Sequence, residues 1–291
     1  MTANTHSTAK TSHPAVPAGE TGTPTTQGAE HGAGVTLARV VRSEITKLYT
    51  LRSVVVALSI TVLLIVASGL FAAVGIIVSD APTTPEGGDA TADPLGGSLS
   101  GVSPAMFAVA ALGVIAVTSE FTSGTIQSTF AAVPRRLPVL FGKAIALVLV
   151  VLPVTAVSAL ITFLGAKAVL ATEELHLSLI EPGVARALLG AGLYLTGVAV
   201  MAAAFGWLLR NTAGALALLL GLLVVVPVIG FFLPPAVARV VVPLLPNNAG
   251  TAVMQLEPGG MLPPWIGIGV FFLYTAAVLA LAVVIVGRRD A

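Results

Sequence analysis

Glu44, Glu120, Arg135 and Arg136 are the charged residues that stand where groups acting on a membrane-borne substrate would have to converge. Two carboxylates and two guanidinium groups are a thin inventory for acid–base work on a lipid-linked group. The nearby hydroxyls, Ser119 and Ser123, have no histidine beside them to take a proton, and three of the four histidines (His6, His13, His31) lie in the polar N-terminal stretch. The sequence has no cysteine, so it can form no disulfide and offers no thiol nucleophile or thiolate metal ligand. There is no H-E-x-x-H, no aspartate pair within an apolar run, and no G-x-x-x-x-G-K-[ST]: Lys143 follows Gly142 but lacks the earlier glycine and the following Ser or Thr. The expectation is a chain without catalytic, metal or cofactor-binding residues, which hydrolyses no ATP itself.

The elements that would position these residues follow from composition. Of 291 residues 56% are hydrophobic and 9% charged, with mean hydropathy +1.00, whereas soluble domains carry roughly a quarter of their residues as charges. Six apolar runs meet the roughly 20 residues that a bilayer-spanning helix needs. They are placed at 53–78, 102–119, 144–166, 187–209, 213–233 and 264–287, giving a six-helix transmembrane domain over 53–287. Residues 1–34, rich in Thr, Ala, Gly and Pro, lack the basic start and apolar run of a secretory signal and read as a disordered cytosolic tail. Over 35–52, Leu37, Val40, Val41, Ile45, Leu48 and Leu51 recur at helical spacing, which predicts an amphipathic interfacial helix. Pro153 and Pro227 fall inside the third and fifth runs; a kink at each and a merely tolerated proline are both open readings.

Lysines and arginines set the orientation, because cytoplasmic flanks retain positive charge. Lys10, Arg39, Arg42, Lys47, Arg52, Arg135, Arg136, Lys143, Arg210, Arg288 and Arg289 fall on one side, and Lys167, Arg186 and Arg239 on the other. Both termini, including 288–291, are therefore expected in the cytoplasm. Within these boundaries no span holds Asp, Glu, Lys, Arg or His, unlike self-powered carriers that relay protons or ions through the membrane. Energy for transport would have to come from a partner. The near-neutral net charge of +1 offers no field for nucleic acid, and the Ala-, Val-, Leu- and Gly-rich composition fits a bacterial inner-membrane protein.

The connection 118–143, TSEFTSGTIQSTFAAVPRRLPVLFGK, carries the most information. Glu120, Phe121, Thr125, Ile126 and Thr129 would fit a short protruding helix that docks into a partner's groove, or a loop with one amphipathic turn. Arg135, Arg136 and Lys143, with Arg210 at the tip of the fourth-to-fifth hairpin, are expected at headgroup level as basic anchors against anionic lipid. In the amphipathic helix Glu44 falls inside the apolar arc of Val40, Leu48 and Leu51, and a carboxylate there needs a partner. Lys47, three residues on, can supply it; a basic group of the connection or of an ATPase is the other reading. Between the last two spans, 234–263 is apolar but broken by Pro246, Asn247 and Asn248, and reads as an outer re-entrant segment or a surface loop with buried turns.

SEITKLYTLRS before the first span, TSEFTSGTIQSTFAAVPRR after the second, LLRNTAGALALLLG between the fourth and fifth, and LLPNNAGTAV before the last together resemble the ABC type-2 permease family. The likeness runs over roughly 35–290. It implies an ABC type-2 exporter-like all-α fold of six transmembrane helices, a second permease subunit (identical or not), and a separate ABC ATPase subunit that uses ATP and Mg to drive export. It places the ATPase-docking coupling element at Glu120–Thr129 and matches Glu44 and Lys47 to the charged pair of the interfacial helix. Uncharged spans point further to a hydrophobic or amphipathic cargo. A membrane-embedded lipid-processing enzyme and a non-transporting anchor or sensor are the competing expectations.

Overall fold

In the computed structural model the described residues are 36–78, 94–124, 137–171, 178–230, 232–256 and 262–288. All belong to one compact unit, Val35–Ala291, and none of them is in a strand. Helix α1 (Leu37–Thr50) buries Val40, Glu44 and Leu48, one per turn, and leaves Arg39, Arg42 and Thr46 exposed. Leu51 is extended and ends it; α2 (Arg52–Val78) starts at the next residue. A short α3 (Pro94–Leu99) then leads into α4 (Val102–Thr122), followed by α5 (Leu137–Leu170) and α6 (Val184–Leu209).

Next come α7 (Thr212–Leu220), a π-helical turn at Gly221–Val225, and α8 (Val226–Gly230). Two short helices, α9 (Pro235–Leu244) and α10 (Pro246–Thr251), precede the last long one, α11 (Pro264–Arg288). Among the described residues, six stretches are long and apolar enough to cross a membrane: Arg52–Val78, Pro94–Thr122, Leu137–Leu170, Val184–Leu209, Thr212–Gly230 and Pro264–Arg288. The chain is a multi-pass membrane protein whose described elements are all helical. Helices are the spanning solution because lipid offers no partner to a free backbone N–H or C=O.

The centre of the bundle is α6, which packs most heavily on α4, α5 and α11. Its Ala- and Gly-rich sequence makes this approach feasible, since without a hydrophobic drive between helices in lipid, association depends on close packing. Gly113 of α4 shows how close: a methyl there would run into the Ala199 carbonyl of α6. Away from this core the side chains are large and outward. Phe71 on α2 and Leu273 on α11 are strongly exposed, the positions that lipid covers.

Three boundaries differ from those expected. The third span begins at Leu137, seven residues before 144, because Pro138 falls in the first turn, where its missing N–H costs nothing. The second is preceded by α3, whose Leu95 and Leu99 are buried, in a stretch expected to be outer loop. The expected re-entrant segment is two helices meeting at Leu245, with Pro246, Asn247 and Asn248 inside the second rather than separating them. Pro153 sits within the continuous helix α5, while Pro227 directly follows the π-helical turn. The tail 1–34 lies outside the described residues.

Candidate functional site

Four charged side chains from three helices meet at one end of the bundle. α1 supplies Glu44 and Lys47, the last turn of α4 supplies Glu120, and the second turn of α5 supplies Lys143. Lys143 Nζ lies 2.6 Å from Glu44 Oε2, and it donates to Glu120 Oε1 at 2.9 Å and to the Ala116 carbonyl at 2.9 Å. Lys143 Nζ thus makes two hydrogen bonds and stands in ion-pair contact with Glu44 Oε2. Lys47 Nζ donates to Glu44 Oε1 at 2.6 Å and to Glu120 Oε1 at 3.2 Å. Two negative and two positive charges compensate within the cluster, which is the condition for keeping charges out of water.

Burial alone would push the Glu44 carboxyl up, but Lys143 and Lys47 more than offset it and hold it below the ordinary carboxylate value. For Lys47 burial acts downward, and Glu44 and Glu120 outweigh it, so its ammonium holds its proton more tightly than a free lysine. Both residues are thereby fixed in their charged forms near neutral pH. The arrangement links α1, α4 and α5 mechanically.

Two placements correct the sequence reading. Lys143, expected at headgroup level as a basic anchor, is 2% exposed, and Glu120, expected on a protruding docking element, is 8% exposed. The cause is the early start of α5. Six residues of helix separate Leu137 from Lys143, about 9 Å at 1.5 Å per residue, enough to draw the ammonium from the helix end into the α1–α4 contact. The helices run past the expected bounds and so take in charged residues that those bounds left outside: Arg52, Glu120, Lys143, Lys167, Arg186 and Arg288. Glu44 Oε2, Glu120 Oε2 and the Ser119 hydroxyl are buried with no hydrogen-bond partner among the described residues.

Next to the charge cluster, Phe121 is half-buried rather than projecting. Its ring meets Trp207 of α6 edge-on, with centroids 5.5 Å apart, and the Arg210 guanidinium lies 5.3 Å from its centroid. Arg210 closes α6 in the left-handed region, φ 50°. Asn211 then caps α7, its Oδ1 accepting from the Gly214 N–H at 2.8 Å. The Thr212 hydroxyl donates to Thr118 Oγ1 at 2.8 Å, tying this hairpin to α4. Arg210, expected to anchor to lipid headgroups, is exposed but also held over an aromatic ring. Thr125, Ile126, Thr129, Arg135 and Arg136 lie outside the described residues.

Trp207, Thr118 and the Ala116 carbonyl also belong to this site, and the sequence reading assigned none of them a role. Trp207 precedes the LLRN hairpin by so little that its aromatic ring at a span end was the one available hint. Compared with protein-family models and with characterised proteins, the chain matches none.

Proposed function

We propose that the chain is the membrane subunit of an ABC-type exporter, driven by a separate cassette ATPase and paired with a second membrane subunit. The observation that carries this reading is the neutral clamp of Glu44, Lys47, Glu120 and Lys143. A partner that pushes on the connection after α4 needs a stiff path into the bundle, and the clamp joins the base of that connection to α1 and α5. The resemblance of the surrounding motifs to type-2 permeases supports the same reading. In it the clamp end faces the cytoplasm, the membrane is the bacterial inner membrane, and the cargo is hydrophobic or amphipathic.

The test is direct. The tagged full chain, purified from its native membranes, is expected to bring with it a Walker-motif ATPase, and Ile126→Asp combined with Thr129→Lys should remove that ATPase while leaving membrane insertion intact. In vesicles the complex should hydrolyse ATP faster with amphipathic compounds and move no sodium. A chain purified without an ATPase, or a complex that pumps sodium and ignores amphiphiles, would overturn the proposal.

A further inference from the structure

At the end of the bundle away from the clamp, a partly enclosed cavity of about 300 Å³ opens between α4, α6, the α7–α8 segment and α10. Its walls are mainly apolar, with buried Met106 and half-exposed Phe107 on one side and buried Leu223 and half-exposed Val228 on the other, and among the described residues no charged one lines it. One flank is polar. The Tyr194 hydroxyl, buried in α6, donates to Asn247 Oδ1 at 2.6 Å, with Met106 Sδ at 2.9 Å. That bond fixes the amide so that the two Nδ2 hydrogens of Asn247 are left with no partner among the described residues. The Ser103 hydroxyl, also lining the cavity, is likewise unpartnered there.

Local backbone features support a built site. Gly250 lets α10 rest on the Tyr194 ring, where a side chain of any other residue would collide, and this brings Asn247 to the tyrosine. On the opposite wall the helix widens into the π turn Gly221–Val225, with the Val226 N–H reaching back to the Gly221 carbonyl. Pro227, which also lines the cavity, then offers no N–H to the preceding turn. Such single-turn π segments occur frequently at functional sites.

We propose that this cavity binds an uncharged amphiphile whose carbonyl, ether or hydroxyl oxygen accepts from Asn247 Nδ2 and Ser103 Oγ and whose apolar part lies along Met106, Phe107 and Val228. At ~30 Å³ per water-sized group, the volume holds about ten non-hydrogen atoms. A charged head group would enter without a counter-charge and is rejected on that ground. The inference rests on the exporter reading only for the ligand's being cargo; binding itself does not depend on it.

The purified full chain, reconstituted without ATPase in phosphatidylcholine nanodiscs, is photolabelled with a diazirine-bearing nonanol and the adducts are mapped by mass spectrometry. Adducts should concentrate on Met106, Phe107 and Val228, and nonanol should compete about tenfold better than nonyltrimethylammonium. Val228→Trp should fill the space and abolish labelling of Met106, while Ser103→Ala, which disturbs no packing, should weaken competition by about fivefold, the loss of one hydrogen bond. Adducts spread evenly to lipid-facing Leu63 and Leu273, or equal competition by the quaternary amine, would overturn the site. Adding the ATPase separates the two readings. Specific labelling without ATP-driven movement of nonanol upholds the site and counts against its role in export.

Discussion

Lys143 Nζ and Glu44 Oε2 are 2.6 Å apart although 99 positions separate them in the chain, and each residue is only 2% exposed. This contact fastens the interfacial helix α1 to the third span. It also makes the stability of the α1 end depend on charge balance, because neither ion can turn to water for solvation when the other is lost.

Removing one charge should therefore be far worse than removing two. Lys143→Met leaves Glu44 and Glu120 buried with Lys47 alone and should cost about 3–5 kcal/mol, the scale for breaking a buried pair. Adding Glu44→Leu to it should restore much of that loss, giving a favourable coupling of at least about 1 kcal/mol in a double-mutant cycle. Unfolding midpoints of the four proteins in the same detergent measure it. Additive losses would show that Glu44 and Lys143 do not depend on each other.

The clamp also sets a pH range. Glu44 titrates below its ordinary value of 4.5 in the folded chain, so its contribution is present above 4.5 and is lost as pH falls through the lower folded value. Lys47 titrates above its ordinary 10.5, so its contribution is present below 10.5 and is lost as pH rises through the higher folded value. Stability should be level between these limits. Thermal midpoints recorded against pH should fall more gently on the acid side in Glu44→Gln than in the parent chain. Identical acid limbs would remove Glu44 from the account.

Orientation can be read by cysteine labelling without background, since the chain contains no cysteine. Thr46 on α1 and Ile180 before α6 are both exposed. With eleven basic residues assigned to the cytoplasmic side, Ile180→Cys should react with an impermeant maleimide on intact cells, and Thr46→Cys only after permeabilisation. The opposite pattern would invert the topology and place the clamp outside.

The spans were legible in the sequence because lipid imposes a local rule: each backbone polar group must be satisfied within its own helix, which demands a long uninterrupted apolar run. The amphipathic helix was legible for a similar reason. A 100° step puts Glu44 between Val40 and Leu48 whatever surrounds it, and all three are buried. What that carboxylate meets is a different kind of question. Lys47 was in view as a neighbour three residues on, but Lys143 and Glu120 become partners only when α4 and α5 cross beside α1. The same holds for Tyr194 and Asn247, joined across 53 positions by the approach that Gly250 permits. Burial turned Lys143 from an expected lipid anchor into the centre of an ion-pair cluster, and burial belongs to the packed bundle, since a side chain's loss of water depends on which distant residues replace it.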